Sequence, residues 1–459
     1  MTGAPDSFDI QPFADKLAQM TAQHPDVALG EIFAVNLNGA LHGKRVPLST
    51  LLKLAADGPR ALRFQLSLAG LDVFGDDVAE ARIAMEIGDP DGAFVPVADT
   101  LAVAPFGATP MFLLQGMFGA QSQDVLSPLD PRSILLAQDA RARAAGLTPV
   151  MALEIEFYLI DPKANTPACH PSRGTPLGRS QVLDVDLLEA FDPVLSDIRD
   201  SAARLGLPAD TILAEFGAGQ FEINLAHTDA ARACDQLVAL KRLVKVKARA
   251  HGLDATFMAK PFTGWSGSGL HLHLSMLDGD GRNVFDEPGT PVGPRLGHAI
   301  AGLAGTARET FLMAAPHLNS YRRHRPGSYA PIGATWGVDN RGAAIRVPTA
   351  TGPAARLEHR IAGADANPYL VAATVLAGAL HGMENALTPS APCESDFGEG
   401  DRFPEAWTEA IDLFEGSDHV ANTFGTEFAR VFAAMKRQEA AALRARVTDV
   451  EHAVYLRNV

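Results

Sequence analysis

Four stretches of this chain alternate apolar and polar residues with a period of two, the signature of a strand with two unlike faces. In MALEIEFYLI, Leu153, Ile155, Phe157 and Leu159 share one face and Glu154 and Glu156 the other. In QFEINL, Phe221, Ile223 and Leu225 oppose Gln220, Glu222 and Asn224. In GLHLHLS, Leu270, Leu272 and Leu274 oppose His271, His273 and Ser275. In RLEHRI, Leu357, His359 and Ile361 oppose Arg356, Glu358 and Arg360. Any one of these alone reads as an ordinary half-buried strand with a solvated face. Such faces normally carry Lys, Thr and Ser. These four carry no Lys, and are built from carboxylates, imidazoles and guanidiniums instead. If the strands are neighbours in one sheet, the four faces combine into a single concave site.

The rest of the pattern sets the frame. Residues 1–27 read as a polar lead with one short amphipathic helix. From Gly30 to about Gln115, short apolar runs such as 32–35 and 94–97 lie between turn signals at 36–39, 88–92 and 107–110, which predicts a small β-rich domain. In SPLDPRSILLAQDARARAAG, Asp130 fits an N-cap, Pro131 the first helical turn and Gly146 the stop. Beyond it, strands alternate with longer helical stretches, ending in a predicted helix, EFARVFAAMKRQEAAALRARV. The expected division is a lead over 1–27, a β domain over 28–120 and a large α+β domain over 121–459.

Composition narrows the class. With 459 residues, 47% of them hydrophobic, the chain can bury a sizeable core and is not expected to be disordered. A net charge of −15 disfavours a nucleic-acid partner. Cys169, Cys234 and Cys393 are far apart and form no CxxC, so neither a disulfide framework nor a thiolate zinc site is expected. The opening MTGAPDSFDIQPF does not read as a signal peptide. The uncharged stretch 100–123 is broken by Pro105, Gly107 and Pro110, and 369–383 is shorter than the roughly 20 residues of a membrane span. The expectation is a cytoplasmic protein with no membrane partner.

Carboxylates and imidazoles at this spacing suit one or two divalent cations, Mg²⁺ or Mn²⁺, and without a cation they would repel. Arginines suit phosphate and carboxylate groups. Arg323, Arg341 and Arg346 lie in turn-rich segments, HLNSYRRHRPGSYAP and DNRGAAIRVP, that flank the acidic strands. GWSGSGLH leads a Gly/Ser loop into the His-x-His strand, and Gly267 and Gly269 permit close backbone approach. The set fits phosphoryl chemistry. No GxxxxGK[ST] or GxSxG occurs, so neither a P-loop nor a serine hydrolase is supported.

Taken in order, ALEIEFYL, AEFGAGQFEINL, FMAKPFTGWSGSGLHLHLS, NSYRR, DNRGAAIRVP and RLEHRIAGADANPYL resemble the glutamine synthetase family. The resemblance implies a small N-terminal β-grasp domain and a catalytic domain with a curved antiparallel sheet. It also implies a homo-oligomer, a dodecamer of two hexameric rings. Glu156, Glu215 and Glu222 would hold the metal near glutamate, and Glu154, His271 and Glu358 the metal bridging the ATP phosphates. His273 and Ser275 would lie at the nucleotide, with Arg346 and Arg356 on its phosphates. Arg323 and Arg360 would clamp the glutamate α-carboxylate, Gly267 would meet its amino group, and Arg341 would stabilise the transferring phosphoryl group. Two or more Mg²⁺ or Mn²⁺ ions and ATP follow as cofactors and co-substrate.

The chain departs from the ammonium-using enzymes where the amine would bind. The flap reads PGSYAP, with Tyr329 where those enzymes carry a glutamate. FQLSLAGLDVFGDD shows no DGSS-like loop, and APCESDFGEG holds no tyrosine for adenylylation. The tail KRQEAAALRARVTDVEHAVYL is closer to γ-glutamylpolyamine and related γ-glutamylamide synthetases. The favoured expectation is an ATP-dependent ligase joining the glutamate γ-carboxylate to a primary amine, putrescine or another polyamine or a small monoamine. The alternatives are an ammonium-using glutamine synthetase, with Asp72, Asp76 or Asp77 supplying the missing acid, and a catalytically silent structural relative.

Overall fold

In the computed structural model, residues 8–120, 126–178, 182–287, 292–348, 352–394 and 400–459 are described. The expected N-terminal helix spans Gln11–Gln23 and buries Phe13 and Leu17. A small mixed sheet follows, in the order Leu41–Pro47, Leu29–Val35, Met111–Phe118, Asp91–Pro96 and Arg63–Gln65. Its central pair, Leu29–Val35 and Met111–Phe118, runs parallel, and the hairpin Leu29–Pro47 is antiparallel. Helix Leu48–Asp57 packs Leu51 against it, and Gly30 leaves that side chain its room, since a Cβ there would overlap Leu51 Cδ1 at 2.5 Å.

The large sheet runs Trp336–Val338, Ile345–Val347, Leu357–His359, Leu270–Leu277, Thr148–Asp161, Gln220–Leu225, Ala209–Ala214. The four alternating stretches are therefore consecutive neighbours, all antiparallel. Their apolar faces are buried, and helices Asp192–Arg204 and Ala230–Ala250 pack against this sheet. This burial of alternate residues fixes register, because a one-residue slip would send every carboxylate into the core.

Capping follows the local chemistry. Helix Pro131–Ala144 starts on Asp130, whose carboxylate accepts from Ser133 N at 2.8 Å and from Phe118 N at 2.9 Å. Residues 369–383 lie in helix Pro368–Glu384, buried against helix Pro294–Ala314. A Cβ on Gly302 or Gly382 would overlap the facing backbone, so these glycines let the two helices cross closely. Among the described residues, no helix is long and apolar enough to cross a membrane.

Buried polar bonds tie the N-terminal part to the rest and the helices to one another. Asn367 Nδ2 donates to the carbonyl of Asn36 at 2.9 Å. Arg132 grips Asp235 through two N–H groups at 2.9 and 3.0 Å, and Tyr369 donates to the same carboxylate at 2.6 Å. Lys436 and Glu439, in helix Thr426–Arg444, form a fully buried ion pair at 3.0 Å. Glu439 also accepts from Asn38 at 2.9 Å and from Val73 N at 3.0 Å.

Candidate active site

Register brings the polar faces into rows. Glu222 stands opposite Glu156, His271 opposite Glu154, and Glu358 opposite His273. Directly opposed residues of antiparallel strands keep their side chains within about 5 Å. Three groups result, each with ligand atoms within 4.8 Å of one another: Glu156 with Glu215 and Glu222, Glu154 with Glu222 and His271, and Glu154 with His273 and Glu358. His271 Nδ1 lies 3.3 Å from Glu154 and 3.8 Å from Glu358, so both imidazoles reach the second acidic pair. Glu215 comes from the turn just after Ala209–Ala214.

The carboxylates divide by environment. Burial pushes Glu222 up to about 9, and the charges of Glu154, Glu156 and Glu215 add to it. Burial and Glu156 raise Glu215 to about 7. Burial also works against ionised Glu154, yet hydrogen bonds from His271 and His273 hold it well below the usual carboxylate range. At Glu358 burial is overcome by Arg360, and the carboxyl sits at about 2. Oxygen and imidazole donors without a thiolate, with repulsion among the acids, fit hard divalent cations.

These shifts predict a pH dependence. Glu222 takes up a proton on folding, titrating near 9 instead of 4.5. Its contribution to stability is complete below pH 4.5 and is lost as pH rises through 9. The metal-free protein should therefore melt at lower temperature at pH 9 than at pH 6. A divalent cation held by these acids would replace the proton, so added Mg²⁺ should raise Tm more at pH 9 than at pH 6. Thermal unfolding of chelator-treated protein with and without Mg²⁺ checks this; equal shifts at both pH values would contradict it.

The arginines border the acids. Arg346 bonds Glu358 at 2.8 Å and Asp339 at 2.5 Å. Arg360 pairs with the other Glu358 oxygen and donates Nε to the Arg341 carbonyl at 3.2 Å. Arg356 Nε donates to His273 Nδ1 at 3.3 Å, which leaves His273 Nε2 to donate to Glu154 at 2.8 Å. Arg323 is buried and donates to the Ile361 carbonyl at 2.8 Å, and burial lowers its guanidinium to about 10. A Cβ on Gly267 would sit 2.8 Å from Arg323 Cγ, and one on Gly269 2.8 Å from Arg323 Nη2; these glycines make room for the arginine.

Three expected residues lie away from the acids' centre. Ser275, two positions past His273, donates to the Ala355 carbonyl at 2.9 Å. Arg341 is exposed, and its charge favours ionisation of Glu215. Tyr329 is exposed and stacks on Phe216, ring centroids 5.4 Å apart at 25°.

Sequence reasoning gave Gln220 a face but no task. It is buried and donates to Glu156 at 3.2 Å and to the Gly267 carbonyl at 3.0 Å, tying the acidic strand to the Gly/Ser loop. Its place two residues before Glu222 was the available signal. Asp339 and Phe216 were also missed, since no local pattern marks them.

A model of the glutamine synthetase catalytic domain matches residues 128–455. The chain belongs to the glutamine synthetase family. It is 38% identical to γ-glutamylputrescine synthetase PuuA of Escherichia coli (strain K12), over 97% of this chain and 95% of that one. It is 32% identical to a glutamate–isopropylamine ligase of Pseudomonas sp., over 92% and 94%. The ADP complex of GmaS superposes with a TM-score of 0.84 at 28% identity, covering 96% of this chain and 99% of that one. Within the family the chain stands on the glutamate–amine ligase branch.

Proposed function

We propose that this protein joins the γ-carboxylate of L-glutamate to a primary amine, converting ATP to ADP and phosphate through γ-glutamyl phosphate. The observation that carries the reading is the pooled acidic and imidazole face of four neighbouring strands, bordered by Arg323, Arg346, Arg356 and Arg360. Glu156, Glu215 and Glu222 would hold one divalent cation, and Glu154, His271 and Glu358 a second, with His273 in reach. Bound there, Mg²⁺ or Mn²⁺ would neutralise phosphate charge and polarise the γ-phosphoryl group.

The chain's own groups supply the rest. Arg346 and Arg356 bind the ATP phosphates beside His273 and Ser275. Arg360 spends Nε and Nη1 on protein partners and keeps Nη2 for the glutamate α-carboxylate, with Arg323 behind it. Gly267 meets the amino group. Arg341, exposed on the rim, is placed to stabilise the phosphoryl group in transit.

The amine is organic. Tyr329 is a phenol where ammonium capture needs a carboxylate, and a hydroxyl on a ring does not supply a carboxylate's fixed charge. Asp72 is engaged within its own loop and by helix Thr426–Arg444: one oxygen accepts from Phe74 N and Asp76 N, both at 2.9 Å, and the other from Gln438 at 2.8 Å, which supports the organic-amine reading. Incubation with ATP, glutamate, Mg²⁺ and equal putrescine and ammonium should yield γ-glutamylputrescine as the main product by mass spectrometry. Glutamine as the main product would overturn the reading. The working form we propose is a cytoplasmic homo-oligomer, a dodecamer of two hexameric rings. Its interfaces would cover exposed apolar residues such as Val73 and Phe74 and, on the last helix (Asp449–Tyr455), Val454 and Tyr455.

A further inference from the structure

Phe216 and Tyr329 are 113 positions apart in sequence and come from different loops, yet their rings are stacked. Both are exposed, Phe216 by 39% and Tyr329 by 61%, so the pair is not a core contact. Rings exposed to this extent present apolar surface to which a ligand can pack. The pair is also tied to the acids. Phe216 directly follows Glu215, and its N–H donates to Glu215 Oε2 at 3.1 Å. Glu215 in turn lies within the group formed with Glu156 and Glu222. A carboxylate cluster therefore stands at the foot of an exposed aromatic platform.

Each part matches one end of a primary alkylamine. The nitrogen is drawn to the carboxylates and to the negative ring faces. The methylenes lose water against the rings. Ammonium has no methylenes to gain from the platform, and methylamine has one carbon only.

Resting on the glutamate–amine ligase reading, we propose that Phe216 determines amine specificity. Its ring, held against Tyr329, is the surface on which the hydrocarbon chain of the amine lies while the nitrogen faces Glu215. The substrate class that follows is a primary amine with a chain of several carbons, a monoamine or a diamine.

The test compares butylamine with methylamine in Phe216→Ala, Phe216→Tyr and the unaltered enzyme. In Phe216→Ala, kcat/KM for butylamine should fall about tenfold and for methylamine less than about threefold, collapsing the ratio between them. Phe216→Tyr keeps a ring and should keep the ratio. An equal loss for both amines in Phe216→Ala would mean that Phe216 only positions Glu215, and would overturn the proposal. So would an unchanged ratio. An unaltered enzyme that ligates neither these two amines nor putrescine would overturn the ligase reading itself, whereas one that ligates putrescine but not butylamine would overturn this proposal alone.

Discussion

Glu222→Ala should lower turnover at least about a thousandfold while the protein stays folded. Glu222 belongs to two of the three groups of ligand atoms, as does Glu154, so removing either takes a carboxylate from one proposed cation site and from the group that adjoins it. Glu358 serves the third group and also neutralises Arg346 and Arg360. Glu154→Ala and Glu358→Ala should therefore be comparably damaged. A thousandfold loss is about 4 kcal/mol of transition-state stabilisation, a reasonable share for a cation that loses a carboxylate. Glu222→Ala removes a carboxyl that burial and like charges disfavour, so without metal this variant should be at least as stable as the parent at pH 9. Steady-state rates with thermal unfolding of the same preparations check both statements. Near-normal turnover in any of these variants would remove that residue from the cation sites.

Lys436→Ala should cost about 3–5 kcal/mol of stability, although the residue lies outside the proposed substrate site. Lys436 and Glu439 are both fully buried, and removing the ammonium leaves a carboxylate whose remaining partners among the described residues are Asn38, Val73 N and His317. Burial opposes ionised Glu439, but Lys436 and His317 hold its carboxyl at about 2. A depressed carboxyl stabilises above its unfolded value of 4.5, and the contribution is lost as pH falls toward 2. Urea midpoints at pH 7 and pH 3 should therefore differ less in Lys436→Ala than in the parent. Replacing the pair together, Lys436→Met with Glu439→Leu, should recover part of the loss, since no charge is then left buried. A single substitution without measurable cost would show the pair to be dispensable.

Much of the site was legible because strands carry their chemistry on alternate residues. The period of two placed Glu154, Glu156, Glu222, His271, His273 and Glu358 on polar faces without any tertiary information. The adjacency of those faces was not legible: Leu357–His359 pairs with Leu270–Leu277, and that strand with Thr148–Asp161, across long stretches of sequence. Local rules held at Asp130 and Pro131, where a cap needs only its next few residues. They were silent on Gly302, Gly378 and Gly382, whose need for small size comes from a helix far along the chain. Lys436 and Glu439 look like the solvated charges of an amphipathic helix, and only packing against Asn38 buries them. Phe216 gave no signal, because its partner Tyr329 reaches it through space alone.

The central claim is that the acidic face transfers the γ-phosphoryl group of ATP to glutamate for capture by an organic amine. Its most direct measurement is the rate of phosphate release from ATP with Mg²⁺ and glutamate, varying ammonium, methylamine, ethanolamine and putrescine. The reading predicts release that needs both glutamate and an amine, with kcat/KM for the best organic amine at least about tenfold above that for ammonium, roughly 1.4 kcal/mol. Ammonium as the best substrate, or phosphate release indifferent to glutamate, would contradict it.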